Sequence, residues 1–322
     1  MTHSIGLATV ALAIGLLTAC GGSDDGPPAL LSASAPSMAL AVSGTARMIT
    51  VTNLGPYPTE ALQASATGLP TGSWMRSTCP TQLMPGASCL LLITPGALPS
   101  AVRGDLAPVP AKVTIAGDNT NTMDISVSVL THGSVHEGGH VFALDDATPL
   151  THSVGGKVLA TAEVASAHWS PSLDAVVGVD DDSTAAQGGC DAAADGRCNT
   201  QRILAQHPTG SRDFAAALCA DSRHGGFDGW YLPAVCELTY SAGAGGLCGT
   251  QAAPRVPDNV RSRLHDGDRV GSFGLAYWSS TQSSQSPADH AHMVVFELSI
   301  LTSAMGKNVG TPPSKCARAI TP

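Results

Sequence analysis

The residues best suited to catalysis are His136, Glu137 and His140, which with Gly138 and Gly139 match the zinc-protease pattern H-E-x-x-H. That chemistry requires both histidines on one face of a helix, where the glutamate acts on a zinc-bound water. Each glycine costs about 1 kcal/mol in a helix interior, and the alternating apolar residues after His140 predict a strand. No nucleophile elbow accompanies the pattern. We therefore predict no catalytic residues and no enzymatic activity, with a zinc metalloprotease as the less favoured alternative.

The densest group of carboxylates is Asp180, Asp181 and Asp182, followed by Asp191 and Asp195. Calcium binds such oxygen ligands, but the spacing of these residues does not match an EF-hand loop. A solvated acidic loop is the usual structure of such a charge run. We therefore predict no metal site and no cofactor, and we keep bound calcium as the alternative.

Composition and charge limit the class of protein to which these residues belong. The 322 residues suffice for two ordinary domains. Only 13% of the residues are charged, whereas 35 Gly and 22 Pro favour short strands joined by turns. The formal net charge of −9 offers no basic surface, so we expect no nucleic-acid partner.

The N-terminus is typical of an exported, lipid-anchored protein. A short apolar stretch, too short to span a membrane, predicts a signal peptide over residues 1–20. Its end, LTAC at 17–20, resembles the bacterial lipobox and implies cleavage before Cys20 and lipidation of that residue. Gly21 then implies sorting to the outer membrane. We predict a lipid anchor in the cell envelope and a flexible tether over residues 21–37, with an ordinary signal peptide as the alternative.

The other cysteines indicate an oxidising compartment, such as the periplasm or the cell surface. Nine cysteines less Cys20 leave eight, which permit 105 pairings, so the connectivity stays open. The absence of any C-x2-C spacing argues against a zinc site. Three pairs would each close a local loop, namely Cys79 with Cys89, Cys190 with Cys198, and Cys236 with Cys248. Cys219 and Cys316 then remain.

Residues 38–131 show the two-residue periodicity of strands. Apolar and polar residues alternate along 48–53, and residues 112–115 and 123–129 flank a Gly-Asp-Asn-Thr turn that predicts a hairpin. Strands at this spacing predict a β-sandwich. The segment from Cys79 to Cys89 resembles immunoglobulin-like repeats of bacterial surface proteins, which implies an immunoglobulin-like fold for this domain.

A second domain is predicted over residues 132–322. Its best helix spans residues 211–219, with Ser211 as the N-cap. A shorter helix is expected at 234–240, directly after a proline. The Gly- and Asp-rich residues 188–199 predict a loop insertion.

Three phrases in this domain carry a family resemblance, namely WYLPAVCEL at 230–238, YWSST at 277–281 and CAR at 316–318. In this order they resemble the Lcl C-terminal domain family, which is named after a bacterial collagen-like adhesin and is related to the C-type-lectin-like fold. The resemblance implies a compact scaffold with irregular binding loops and a disulfide from a helix to the last strand, here Cys219 to Cys316. The predicted fold is thus an N-terminal all-β immunoglobulin-like sandwich followed by an α+β C-type-lectin-like domain with disulfides.

The phrases themselves are expected to form scaffold, because large aromatic side chains are usually buried for packing. Trp74 and Trp169 are expected to fill cores in the same way. The predicted scaffold residues are Trp230, Leu232, Pro233, Glu237, Tyr277, Trp278, Ser279 and Arg318.

Recognition is assigned to polar residues near the C-terminus, which should lie on exposed turns. Adaptable polar loops on a rigid scaffold are a common way to carry binding, and a plain solvated loop is the alternative. The predicted ligand-binding residues are Gln282, Ser283, Ser284, Gln285, Asp289, His290, His292, Ser299, Thr302, Ser303, Lys307 and Asn308.

The resulting prediction is a binding function. We expect noncovalent, adhesion-like recognition of a glycan or a surface protein. The resemblance also implies a relation to outer-membrane lipoproteins whose C-terminal loops are varied by diversity-generating retroelements. The alternative is a structural envelope component that docks to one fixed protein partner.

Overall fold

The computed structural model describes residues 29–100, 109–148, 151–240, 246–271, 273–296, 302–309 and 311–321. The predicted signal peptide, the lipidation site Cys20 and residues 21–28 of the predicted tether lie outside these residues, as does Ser299. The described remainder of the tether includes the strand Leu31–Ala33, which pairs with residues 51–53, so the prediction of a flexible segment is wrong there. In the described part of the chain, no helix has the length and apolar character needed to cross a membrane. The fold is mainly β-sheet with few helices.

The N-terminal half forms two four-stranded sheets that enclose one core, so the predicted β-sandwich is present. Its strands are β1 (Leu31–Ala33), β2 (Ser37–Ala41), β3 (Arg47–Asn53), β4 (Gln63–Thr67), β5 (Trp74–Ser77), β6 (Ser88–Thr94), β7 (Ala111–Ala116) and β8 (Met123–Leu130). One sheet has the order β1-β3-β6-β5 and the other β2-β8-β7-β4. The predicted hairpin is the antiparallel pair β7–β8, whereas β2 runs parallel to β8.

The core of the sandwich follows from the alternation along its strands. Ile49 and Val51 on β3 share one buried cluster with Val113 on the opposite sheet. Trp74, which was expected in a core, is instead 50% exposed. It lies on the edge strand β5 opposite Thr94, and the buried positions of β6 are those that alternate with Thr94. The side chain of Trp74 therefore lies on the solvent-facing side of its sheet.

In its described residues, the C-terminal half contains a four-stranded sheet, a three-stranded sheet and three α-helices, with short 3-10 helices at Ala185–Gln187 and His224–Gly226 and a π-helical turn at Arg261–His265. Its elements are β9 (Val135–His136), β10 (Gly139–Asp145), β11 (Gly155–Ala160), α1 (Gly196–Gln206), α2 (Ala215–Asp221), α3 (Val235–Leu238), β12 (Ala276–Gln282), β13 (His290–Val295), β14 (Thr302–Gly306) and β15 (Ala317–Ile320). The sheet orders are β15-β11-β10-β9 and β12-β13-β14. The last strand, β15, thus pairs with β11 of the β10–β11 hairpin near the start of this half.

The predicted helix at 211–219 begins later than expected. Ser211 is not its N-cap, because α2 starts after Phe214. Phe214 has an extended backbone and forms a parallel bridge with His168, so the chain cannot turn into a helix before that point. The short helix expected at 234–240 is present as α3.

The first helix of this half was missed by the sequence prediction. Its start falls inside the segment 188–199, which was predicted to be a loop insertion, so that prediction is wrong from Gly196 onward. The buried residues of α1 are Gly196, Asn199, Thr200 and Ile203. Because only one of these is a large apolar residue, the helix lacks the apolar stripe by which such helices are found.

The eight described cysteines form four disulfides: the three local pairs that the sequence spacing favours, and the Cys219–Cys316 pair that the resemblance implies. These are Cys79–Cys89, Cys190–Cys198, Cys219–Cys316 and Cys236–Cys248, with Cα–Cα distances from 4.8 to 5.7 Å. The Cys219–Cys316 bond joins α2 to the residue just before β15 and bridges 97 positions of sequence. Four disulfides indicate an extracytoplasmic protein.

Arg47 on β3 links the two halves of the chain. Its side chain is fully buried, with Nη2 paired to Asp146 at 2.9 Å and Nη1 donating to the Ser153 carbonyl at 2.8 Å. The Val154 N–H also donates to the Ala39 carbonyl at 3.0 Å. Described residues between β10 and β11 therefore pack directly on the sandwich.

Candidate ligand-binding face

The zinc-protease pattern forms the tight turn of a hairpin. β9 ends at His136 and β10 begins at Gly139, while Glu137 and Gly138 have φ values of 47° and 82°. Two consecutive positive φ values are typical of a type I′ hairpin turn. The Glu137 carboxylate forms an ion pair with Arg318. The helical context required by the metalloprotease alternative is therefore absent from this segment.

The predicted acidic loop is held by bonds to other parts of the chain. Three of the five aspartates have such partners, namely Asp180 with Gln282, Asp181 with His292 and Asp191 with Arg255. Asp195 instead caps α1 locally by accepting from the Cys198 N–H. In the described ranges, no group of three or more His, Cys, Asp or Glu side chains could hold a metal ion. Asp180 and Asp181 bond to the buried Gln282 and His292, so the prediction of a merely solvated loop is wrong for these two. Asp195 is exposed and the Asp191 side chain is 47% exposed.

The predicted ligand-binding residues fall into buried and exposed groups. Gln282, Ser283, His292 and Lys307 are buried, so the prediction that they lie on exposed turns is wrong. The physical reason is that the segment 174–181 covers this end of the β12-β13-β14 sheet and bonds to Gln282, His292 and Lys307.

The remaining predicted ligand residues lie at the periphery of the same region. Thr302 and Ser303 are the first two residues of β14 and pair with β13, so the prediction that they lie on a turn is wrong. The partly or fully exposed residues are Ser284, Gln285, Asp289, His290 and Asn308. Four of these belong to the β12–β13 connection or its end, and Asn308 follows β14.

Lys307 is the centre of the buried group. Its Nζ donates to Gln282 Oε1 at 2.7 Å, to the Pro287 carbonyl at 2.7 Å and to the Asp174 carbonyl at 3.0 Å, which uses all three N–H groups. The same atom lies 4.5 Å from the centroid of the Trp169 ring, within cation–π range. Burial lowers the pKa of Lys307 from 10.5 to about 8. The bond to Pro287 fixes the turn between β12 and β13.

A second contact holds the start of the same turn. His292 Nε2 lies 2.7 Å from Asp181 Oδ2, and the Ser284 N–H donates to Asp181 Oδ1 at 3.2 Å. Burial raises the pKa of the Asp181 carboxyl, but its bonds to His292 and Ser284 outweigh that effect, and the pKa lies below its usual value. The turn that carries Gln285 and Asp289 is thus anchored on both sides.

A cleft of about 490 Å³ opens where Asn308 follows Lys307. We call this space the Asn308 cleft; it is lined by His168, Ser170, Pro171, Ser172, Leu173, Ser211, Asp213, Phe214 and Asn308. Its walls are hydrogen-bonded to one another, because the Trp169 N–H donates to the Lys307 carbonyl at 3.1 Å and the Ala215 N–H donates to the His168 carbonyl at 2.9 Å. The lining combines several polar groups with a larger apolar surface.

Of the predicted ligand-binding residues, only Asn308 lines this cleft. No sequence pattern indicates His168, Leu173 or Asp213 as site residues, because they come from segments far apart in the chain. Their meeting depends on the His168–Phe214 bridge and on the position of Lys307.

The residues predicted as scaffold are all buried, and so is Trp169. Glu237 shows what such a residue does. Its carboxylate accepts from the Ala234 N–H at 2.9 Å, the Gly196 N–H at 3.1 Å and the Tyr231 hydroxyl at 2.9 Å, and it pairs with Lys157. One buried carboxylate therefore connects the starts of α1 and α3 to Lys157 on β11.

Comparison with known proteins yields only partial structural similarity. No protein-family model and no curated protein matches the chain. Domains 4 and 5 of the S-layer protein SbsC are similar at 11% identity and a TM-score of 0.23, covering 31% of this chain and 51% of that one. The Pseudomonas aeruginosa CupB2 chaperone is similar at 13% identity and a TM-score of 0.23, covering 30% of this chain and 55% of that one. A PapD-like domain of human CEP192 is similar at 11% identity and a TM-score of 0.23, covering 37% of this chain and 97% of that one.

The chain thus spans about half the length of the S-layer and CupB2 structures. Because these three TM-scores lie well below 0.5, the similarity carries no argument about function.

Proposed function

We propose that the protein is a cell-envelope lipoprotein that binds a ligand noncovalently through a C-type-lectin-like domain at residues 132–322. Two features support a domain of the Lcl type. β15 pairs with β11 of the opening hairpin, and the Cys219–Cys316 bond ties α2 to that last strand. This arrangement matches the helix-to-last-strand disulfide that the Lcl resemblance implies.

The observation that carries the binding proposal is the Asn308 cleft beside an anchored polar turn. Ligand sites are concave, largely pre-formed, and combine apolar surface with a few placed polar groups. Here Asp213, Asn308 and His168 supply polar groups, while Leu173 and Phe214 supply apolar surface. A sugar ring has the same mixture of hydroxyl groups and apolar faces. We therefore propose a glycan, free or carried by a surface protein, as the ligand class.

The location is proposed from the N-terminal sequence together with the disulfides. Lipidation at Cys20 would hold the protein on the outer membrane, and the β-sandwich, which we propose to be immunoglobulin-like, would act as a spacer. Protease treatment of intact cells tests this placement. Cleavage of the protein on intact cells supports surface display, and protection until the outer membrane is broken would overturn it.

The ligand proposal is tested on a glycan array with the full protein. We expect selective binding that is lost in Asp213→Ala and in Asn308→Ala. The matched control is Asp118→Ala, an exposed aspartate on the β7–β8 turn of the sandwich, which should bind as wild type does. An array without signal, or a signal that both cleft variants retain, would overturn the proposal.

A structural role in the envelope is the second candidate, and one surface favours it. The β1-β3-β6-β5 sheet carries three exposed large apolar residues, namely Met48, Trp74 and Leu90. Their exposed fractions are 44%, 50% and 37%. Exposed apolar surface of this kind is common at protein interfaces. Affinity purification from envelopes separates the two candidates: a stoichiometric protein partner together with an empty glycan array favours the structural role.

We further propose that the polar turns near the C-terminus are diversified by a retroelement. The support is that Gln285, Asp289 and Asn308 are exposed on a disulfide-tied framework, so these positions can change without disturbing the core. A neighbouring reverse-transcriptase gene and a near-copy of the 3′ end of this gene are the expected findings. Their absence from the genome would overturn this part of the proposal.

A further inference from the structure

A second, smaller pocket lies beside the β15-β11-β10-β9 sheet, and the proposed glycan site does not use it. Its volume is about 190 Å³, and its lining includes His140, Leu159, Thr161, Val270, Phe273 and Lys315. This volume is below the usual range for drug-sized ligands, which indicates a smaller ligand. We call it the Lys315 pocket.

Among the described residues, the ammonium of Lys315 has no ion-pair partner within 4 Å. Its Nζ donates to the Ala160 carbonyl at 3.3 Å and to the Thr161 carbonyl at 3.5 Å, which leaves one N–H without an acceptor in the described part of the chain. Within the same described ranges, no carboxylate lies within 4 Å of this Nζ. Glu163 is the carboxylate that acts on it electrostatically, and that side chain accepts a hydrogen bond from the Tyr277 hydroxyl.

A partly buried cation without an ion-pair partner is costly, because buried charges are normally paired. Burial lowers the pKa of Lys315, although Glu163 opposes that shift. A bound anion would supply the missing partner. The unpaired N–H and the pocket next to it together point to an anionic group of a ligand.

The rest of the pocket is apolar except for the side chains of His140 and Thr161. Phe273 and Leu159 are buried, and Lys315 Nζ lies 5.7 Å from the centroid of the Phe273 ring. His140 Nδ1 lies 3.4 Å from the Gly133 carbonyl, so the tautomer that donates there keeps Nε2 as an acceptor. A free inorganic ion has no apolar part that could pack against Phe273 and Leu159.

We propose that the Lys315 pocket binds a small organic carboxylate, with the carboxylate on Lys315 and an apolar body against Phe273 and Leu159. This site is independent of the Asn308 cleft, so one proposal can fail while the other stands. The probe is benzoate, and the comparison compounds are benzamide, which has the same shape without charge, and inorganic phosphate, which has charge without an apolar body.

The test is calorimetric titration of the full protein. We expect benzoate to bind, with at least about tenfold weaker binding of benzamide and of phosphate, a difference of about 1.4 kcal/mol or more. Lys315→Met keeps the aliphatic stem and should weaken benzoate binding by a similar factor. Lys315→Arg keeps the charge and should retain most of it. Lys112→Met, which removes a lysine whose side chain is 56% exposed on the sandwich, should bind benzoate as wild type does.

Three outcomes would overturn the proposal: no benzoate binding to the wild type, equal binding to Lys315→Met, or phosphate binding as tight as that of benzoate. Lys315 precedes a disulfide cysteine, so folding is checked through the unfolding midpoint and the mass of each non-reduced variant. If Lys315→Met fails to fold, the comparison of benzoate with benzamide on the wild type decides, and equal affinities overturn the proposal.

Discussion

Lys307 Nζ lies 4.5 Å from the centroid of the Trp169 ring, and both side chains are completely buried. Trp169 in turn donates from Nε1 to the Ser279 carbonyl on β12 at 2.8 Å. The lysine therefore connects the strand β12, the turn after it and the wall of the Asn308 cleft. A polar residue near the C-terminus, which the sequence suggested as a ligand contact, has the position of a structural clamp.

Removal of this clamp should destabilise the protein. Lys307→Met should lower the free energy of unfolding by about 1–3 kcal/mol, because the Gln282, Pro287 and Asp174 oxygens would lose their donor. Denaturant unfolding measures this change. Lys112→Met, at an exposed site, should change the free energy by no more than about 0.5 kcal/mol. A Lys307→Met protein as stable as the wild type would contradict the clamp.

The pKa of the same lysine predicts a dependence on pH. Its value of about 8 in the folded protein lies below its ordinary value of 10.5. Between these two values the unfolded chain binds more protons at Lys307 than the folded protein does. The free energy of unfolding should therefore rise with pH through this window. Lys307→Met should lack that increment in urea unfolding at pH values from about 8 to 10.5, and equal slopes in both proteins would refute the assignment.

The Asp181–His292 pair should act in the acid range. The pKa of Asp181 is lowered in the folded protein, so its stabilising contribution is complete above the ordinary carboxyl pKa of 3.8 and is lost as the pH falls through the lower folded value. Asp181→Asn should therefore flatten the loss of stability below about pH 4. Asp182→Asn, the exposed neighbour, should keep the wild-type acid profile. If both variants gave the same profile, the His292 contact would not stabilise the fold.

Much of the β-structure could be predicted because its signals are local. The alternation along β3 and the turn between β7 and β8 are legible in a few consecutive residues. α1 could not be predicted in this way, because its buried side includes Gly196, Asn199 and Thr200, which are held by hydrogen bonds instead of apolar packing. Trp74 was misplaced because amino-acid type does not show which strand lies at a sheet edge.

The candidate site was harder to predict than the fold. The Asn308 cleft is formed by segments separated by many residues, so no spacing in the sequence indicates it. Lys307 is a misleading case, because a lysine in a polar segment is usually exposed. Its burial depends on the carbonyls of Asp174 and Pro287, which only the folded chain brings to it.

The link between the two halves of the chain is also testable. Arg47→Met should lower the free energy of unfolding by about 3 kcal/mol, because Asp146 and the Ser153 carbonyl would lose a fully buried partner. Arg76→Met, on the exposed side of β5, is the matched control and should be nearly neutral. Limited proteolysis between β10 and β11 should become faster in Arg47→Met alone. Unchanged cleavage there would mean that other contacts hold the junction.

The long disulfide should contribute more stability than a local one. In the chain-entropy model, a bond that closes a loop of 97 residues contributes about 4–5 kcal/mol, whereas one that closes 10 residues contributes about 3 kcal/mol. In denaturant unfolding, the free energy of unfolding should therefore fall by about 2 kcal/mol more in the Cys219→Ala/Cys316→Ala variant than in the Cys79→Ala/Cys89→Ala variant. Because the long bond ties α2 to β15, its loss should also weaken binding at the Asn308 cleft, since the cleft is lined by Phe214, the residue directly before α2. Equal losses in the two variants would show that the long bond does not restrict the unfolded chain as this model requires.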